Sequence, residues 1–263
     1  MAGRMNDFPS GIAEDVRHRP WPLPDAPWIM TQTWHDLLFA HWPVAVAALR
    51  DVIPPALELD LFDRQGWLGV VPFHMTNVAP RGVPALPWVS AFPELNVRTY
   101  VRAYGKPGVY FFSLDATSPL AVAVARAVFR LPYFQASIDV DVDAAGIRYH
   151  CRRTARGAAP AEFRARYRPA GPAHAAAPGS LEYFLTERYC LYTVDGRARV
   201  RRLEIHHLPW ALQQAEADIE ANTMAGAAGI RLASTAPLLH FARRQDTIAW
   251  APAICDSRFA IRD

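Results

Sequence analysis

Five polar residues at every second position open the chemical reading of this chain: Glu94, Asn96, Arg98, Tyr100 and Arg102, in ELNVRTYVRA. Side chains alternate along a β-strand, so these five share one face, and Leu95, Val97, Thr99, Val101 and Ala103 share the other. A carboxylate, an amide, a guanidinium and a phenol in one row can anchor an acidic ligand and exchange a proton with it. Arg98 is the natural anchor, because a guanidinium fork matches a carboxylate with two parallel hydrogen bonds. Such a row has two readings. It is the solvated outer face of an antiparallel sheet, or it lines a covered cavity, where each polar group needs a partner.

Three further segments carry groups of the right type: His74 in VVPFHM, Glu187-Arg188-Tyr189, and His206-His207 before Pro209-Trp210. Glu94, Glu187 and His206 are the candidates for acid/base or orienting work, with Asn96, Arg98, Tyr100, Ser113 and Arg188 as candidate binding groups. Adjacent histidines on a strand point to opposite faces, so His206 and His207 do not chelate by spacing, and no metal site or cofactor is expected. Neither a GxSxG elbow nor an HExxH helix motif occurs, which leaves a serine hydrolase or zinc protease without support.

The elements that must position these groups read as strands. The second strand after ELNVRTYVRA holds Val109-Tyr110-Phe111-Phe112, with large aromatics on both faces, as in a strand covered on both sides. Pro107-Gly108 reads as the turn of this hairpin, which sets Tyr100 opposite Asp115 and Arg102 opposite Ser113; a loop one residue longer exchanges the faces of the second strand. Strands are also expected at 31–40, 57–61, 67–75, 135–142, 147–153, 162–168, 188–194, 199–206 and 247–251, and helices at 44–52, 119–129 and 181–186. Residues 212–222 suit either. Pro72 inside the 67–75 strand implies a bulge or an edge. The proline-rich stretch 79–93, with Trp88 and Phe92, is long enough to cover a cavity mouth. Residues 1–27, rich in proline and charge, read as an extended arm pinned by Trp21 and Trp28, and 28–263 as a single domain. The fold class is mainly β with two or three helices, a barrel or cone with convergent polar groups inside.

Composition narrows the functions. The 263 residues are 51% hydrophobic, 11% aromatic and 20% charged, and the net charge is +3, with no cluster of basic residues interleaved with aromatics, which argues against nucleic acid as a partner. No run approaches the ~20 apolar residues of a membrane span, and the first 27 residues lack an apolar leader segment. Three distant cysteines, Cys151, Cys190 and Cys255, give no disulfide framework, and a cytoplasmic location is the expectation. A homodimer through an edge strand is the oligomer expected if any forms.

The order of the segments WHDLLFAHWPVAVAALRDVIPPALELD, GWLGVVPFHMTNV, FPELNVRTYV with GKPGVYFFSLDA, LEYFLTERYCLYT and LEIHHLPWALQQAEADI, over residues 34 to about 219, resembles the YqjF-like family of uncharacterised bacterial proteins. That family is similar in turn to acetoacetate decarboxylase, with ALRDVIPPALELD as the best matching part. The resemblance implies a mostly antiparallel β-cone around a closed cavity. It also implies a test of mechanism, because acetoacetate decarboxylase activates a lysine amine for Schiff-base chemistry. The segment matching its Pro-Lys-Lys is Leu131-Pro132-Tyr133-Phe134, without lysine. Lys106 is the one lysine of the chain, at what reads as the start of a turn, where it would project into water. Arginine is no substitute nucleophile. The leading expectation is therefore a small-molecule-binding β-cone protein for a carboxylate or keto acid, without Schiff-base chemistry. Two alternatives stand beside it: a lysine-independent lyase or hydrolase working by Glu/His acid-base chemistry, and a non-catalytic structural or interaction protein.

Overall fold

A computed structural model describes residues 8–9, 11–85 and 90–255. Its elements run β1 (Met30–Val44), α1 (Val46–Arg50), β2 (Glu58–Leu59), β3 (Gly66–Pro80), β4 (Phe92–Ala103), β5 (Lys106–Ala116), α2 (Pro119–Val124), a π-helical turn (Ala125–Phe129) and β6 (Tyr133–Asp143). They continue with β7 (Gly146–Arg153), β8 (Glu162–His174), α3 (Leu181–Thr186), β9 (Cys190–Val194), β10 (Val200–His207), β11 (Leu212–Asn222), α4 (Met224–Ala227), β12 (Leu238–Ala249) and β13 (Ala253–Ile254). The chain is mainly β, as the alternation in its sequence requires.

All these strands belong to one sheet, and the sheet closes on itself. Strands β1, β3, β4, β5, β9, β10 and β12 pair in a circle, sealed by β4–β5 and β10–β12. Every pairing is antiparallel except β5–β6 and β5–β9. Strands β6, β7, β8 and β11 bridge β5 to β12 on the far side and enclose a second core. The shared wall explains why β1 is apolar on both faces. Leu37 and Phe39 point into the seven-strand ring, whereas Leu38, Ala40 and Trp42 point into the other core. Each such fully buried aliphatic or aromatic side chain contributes roughly 1.5–3 kcal/mol.

Two irregularities set the phase of the ring. At β1–β3 the pairing is interrupted between His35 and Ala40, where Asp36 takes φ 53°, and Pro72 sits opposite that gap while staying in register with Leu95 of β4. The bulge inferred from Pro72 is thus present. At β4–β5, Val97 faces Ser113 but Arg98 faces Phe111, so β5 carries one extra residue, Phe112. Val109 and Phe111 point into the ring before this bulge, and Leu114 does so after it.

The hairpin turn differs from the sequence reading. Ala103 pairs with Lys106, and the loop is Tyr104-Gly105, both at positive φ (52° and 79°), as a two-residue hairpin turn of the primed type demands. Pro107 and Gly108 lie inside β5. Tyr100 therefore faces Val109, Arg102 faces Pro107, and Asp115 faces Leu95. Gly108 is needed for close approach, since a Cβ there would lie 2.7 Å from the Cys190 carbonyl oxygen.

Other boundaries moved as well. The expected 247–251 strand is the end of a twelve-residue β12, 212–222 is strand, and 119–129 is a short α-helix running into a π-turn closed by Arg130 at φ 54°. Phe92 opens β4 instead of lying in a loop, and Trp88 falls outside the described residues. Residues 11–29 hold no helix or strand and lie against β10 and β12. Arg19 donates to the Ile205 carbonyl at 2.8 Å, and the Trp250 indole donates to the Ala26 carbonyl at 2.6 Å.

Candidate functional site

The seven-strand ring holds a cavity of about 170 Å³. Its walls are apolar for most of their area. Leu37, Val71, Phe73, Val109, Leu114, Leu203 and Trp210 are among the lining residues, and Ala121, Val124, Ala125 and Phe129 of α2 and the π-turn cover one side. Into this wall β4 sends Glu94, Asn96 and Arg98, two residues apart, so the even-numbered face of ELNVRTYVRA is the inner one. Arg188, Thr186 and His207 complete the polar lining with Tyr133 and Gln32.

Glu94 is 2% exposed, and its Oε2 accepts a hydrogen bond from the Tyr133 hydroxyl at 2.7 Å. Burial pushes its carboxyl up to about 8, against the Tyr133 hydrogen bond, which favours the charged form, and with help from the nearby Asp115. At neutral pH Glu94 is therefore mostly a neutral acid, with an O–H of its own to donate. Burial and the Glu94 carboxyl together push the Tyr133 phenol well up, so it stays a donor.

Arg98 is the other pole. One terminal nitrogen donates to the Leu185 carbonyl at 3.1 Å, the guanidinium lies 5.2 Å from the Phe39 ring centre, and no carboxylate among the described residues pairs with it. Its Nε and the Oδ1 of Asn96 are buried without partners. Arg188 differs, because its Nη1 is bound to Asp60 Oδ2 at 2.6 Å and its Nε donates to the Phe184 carbonyl. Buried polar atoms normally find partners, so two open valences at neighbouring inner positions of one strand mark the part of the wall made to meet something else.

The remaining sequence candidates lie elsewhere. Tyr100 is on the same face of β4 but beneath the cavity, donating to the Leu185 carbonyl and contacting His41 Nε2, both at 2.7 Å. The Glu187 carboxylate sits behind Trp210, accepting from the Tyr189 hydroxyl at 2.6 Å and the Trp210 amide at 3.0 Å. Ser113, carried to the other face by the β5 bulge, faces Val97 and is not in the lining. His206 faces away from the ring, with Nε2 2.7 Å from the Ile12 carbonyl, and burial lowers it to about 4. His74 pairs across from His35 outside the lining. Lys106 corrects the solvent-facing expectation: it is 4% exposed, its ammonium grips both oxygens of Glu204 at 2.8 Å, and Trp21 lies 5.2 Å away. It is held outside the cavity.

Sequence reasoning singled out the pair His206-His207 but took His206 as the candidate in place of His207, and it did not select Tyr133. His207 lines the cavity with Nδ1 2.8 Å from the Leu208 carbonyl and Nε2 3.2 Å from the Arg188 carbonyl, and burial lowers its pKa. The signal was present, because Leu203, Ile205 and His207 alternate with Glu204 and His206, and the apolar members mark the inner face. Tyr133 lies in Leu131-Pro132-Tyr133-Phe134, the segment that the resemblance alone would match to the decarboxylase Pro-Lys-Lys, and the β5–β6 pairing of Leu114 with Tyr133 brings it to Glu94.

Comparison with known proteins agrees with this architecture. Residues 31–246 match the model of the DUF2071 family, an uncharacterized conserved protein family, and the chain belongs to that family. It is similar to the uncharacterized protein YqjF of Bacillus subtilis, 49% identical over 239 residues, which cover 91% of this chain and 98% of YqjF. Among solved structures it is similar to acetoacetate decarboxylase of Legionella pneumophila (TM-score 0.59, 13% identity, 97% and 98% of the two chains). It is also similar to an acetoacetate decarboxylase-like enzyme of Sphingomonas wittichii (0.61, 11%, 88% and 94%) and to the enduracididine biosynthesis enzyme MppR complexed with pyruvate (0.58, 12%, 91% and 94%). At these identities the likeness is one of fold: an acetoacetate decarboxylase-like β-cone. No helix among the described residues is long and apolar enough to cross a membrane.

Proposed function

We propose that this member of the family binds a small carboxylate or keto acid in the seven-strand ring, with Arg98 as the anion anchor and without Schiff-base chemistry. The observation that carries the reading is a half-buried guanidinium on the cavity wall with no carboxylate partner among the described residues and a buried, open Nε–H, beside the open amide oxygen of Asn96. A ligand carboxylate supplies the missing charge in a low-dielectric site, where such a contact is strongest. Neutral Glu94, held by Tyr133, then offers its O–H to a further oxygen of the ligand. The single lysine is committed to Glu204 outside the lining, which supports an amine-free site.

Glu94 favours a second reading, a lysine-independent lyase or hydrolase. A carboxyl that titrates near neutrality is placed to give and take a proton, with His207 as the imidazole of the lining instead of His206. Calorimetric titration of wild type and Arg98→Ala with keto acids, hydroxy acids and apolar carboxylates tests the first reading. Binding that Arg98→Ala weakens at least tenfold supports it; equal affinity for both proteins rejects the anchor. Analysis of the recovered ligand decides between the readings, since an intact molecule after prolonged incubation excludes turnover of that compound.

A further inference from the structure

The polar groups of the cavity are not spread evenly. They lie in a row on β4, and that row has a direction. Arg98 points to the floor, where Phe39, Tyr100 and the Leu185 carbonyl of α3 surround its guanidinium. Glu94 lies four residues away, about 13 Å along the strand at ~3.3 Å per residue, at the end where β5 runs out and α2 begins. Beyond Glu94 the lining is mostly apolar, with Met75, Phe92, Leu131, and Ala121, Ala125 and Phe129 of the cover beside the polar Gln32 and the Tyr133 hydroxyl that bonds Glu94.

A two- or three-carbon acid held on Arg98 would reach none of this apolar lining. The cavity volume of about 170 Å³ is comparable with the roughly 150 Å³ of an apolar protein cavity that takes up benzene. We infer that the ligand is an acid with an extended apolar body of about six carbons or a phenyl ring, its carboxylate on Arg98 at the floor and its body running along the wall towards Glu94 and the cover formed by α2 and the π-turn. This rests on Arg98 being the anion anchor, and it adds the substrate class to that reading. The neutral state of Glu94 fits the same ligand, since an ionised carboxylate along the path would repel an apolar body and a protonated one bonded to Tyr133 is far less costly.

The test is a calorimetric series of unbranched 2-oxo acids from pyruvate to 2-oxodecanoate, with phenylpyruvate, at pH 7. Each methylene buried against the wall should tighten binding roughly three- to fourfold, until the body fills the space under the cover and the gain stops. Ala121→Phe, which fills part of that space, should move the break to shorter acids, and Phe129→Ala should move it to longer ones. Opposite shifts in two variants of the cover distinguish a filled cavity from detergent-like binding elsewhere and from a general loss of fold.

Affinity that does not change with length, or that falls with it, while Arg98→Ala still abolishes binding, overturns the apolar body and leaves the anchor standing. Affinity that rises with length but is indifferent to Arg98→Ala overturns the anchor and the orientation together. A break that neither cover variant moves overturns the placement of the body under α2.

Discussion

Replacing Glu94 by Gln gives the sharpest test of the site's electrostatics. The amide is isosteric, keeps an oxygen that accepts from the Tyr133 hydroxyl, and carries no charge at any pH. A carboxyl whose value rises from 4.5 unfolded to about 8 folded binds its proton more tightly in the native state. The native protein therefore retains a proton that the unfolded chain releases between pH 4.5 and 8, and wild-type stability falls through that window as pH rises. At 1.36 kcal/mol per pH unit, the loss between pH 5 and 8 is at most about 4 kcal/mol. Relaxation of the wall and entry of water reduce it, so about 2–4 kcal/mol is expected.

The assay is urea denaturation of wild type and Glu94→Gln at half-unit steps from pH 5 to 8.5, taken as the difference between the two proteins so that other titrations cancel. The two should agree within about 1 kcal/mol at pH 5, with the variant the more stable at pH 8. Parallel curves over the whole range would refute the reasoning, because they would mean that Glu94 is ionised throughout and that its charge is satisfied in the wall. A ligand bound through a neutral Glu94 adds a second readout: its affinity should fall above pH 8 in wild type only.

Three other outcomes follow from the geometry. Lys106→Met should cost about 1–3 kcal/mol in urea denaturation, less than a fully broken buried pair because Arg202 still lies 2.8 Å from Glu204, and carboxylate affinity should stay within twofold. Gly108→Ala should cost more than Gly105→Ala: the first drives a methyl into the β9 backbone, and the second asks alanine only for a positive φ; a reversed order in thermal melts would return the turn to Pro107-Gly108. Acid should loosen residues 11–29, because His206 is held below its usual value, so the folded state resists a proton that the unfolded chain accepts and stability is lost as pH falls from 6.5 towards 4. Limited proteolysis at pH 7 and pH 5 reads this as faster cleavage of the arm at pH 5, and His206→Asn should remove the difference.

The limits of sequence reading here are limits of phase. Alternation in ELNVRTYVRA places Glu94, Asn96 and Arg98 together with no further information, because β4 itself carries no bulge. One extra residue in β5 reverses its alternation halfway, and nothing local in VYFFSLD marks Phe112 as that residue, since aromatics suit both faces of a covered strand. Ser113 was misplaced for that reason. The turn was misassigned because Pro-Gly is a strong local signal that tertiary packing overrides: β9 needs a glycine against its backbone, and Tyr104-Gly105 satisfies the hairpin. Lys106 followed the turn, from an exposed loop into a strand whose outer side is covered by the arm.

The same logic separates the histidines. Each strand of a closed ring has one inner face, so one of two neighbouring histidines must lie outside it. The apolar alternation Leu203, Ile205, His207 fixes which, and the arm then covers the other through the Ile12 carbonyl. A histidine pair that reads as one motif thus divides into a cavity residue and a docking residue. Changing His207 should alter what the cavity binds with the arm still in place, and changing His206 should free the arm with the cavity intact. Proteolysis and calorimetry on the two variants are therefore expected to give opposite patterns, and a shared pattern would mean that arm and cavity are coupled through β10.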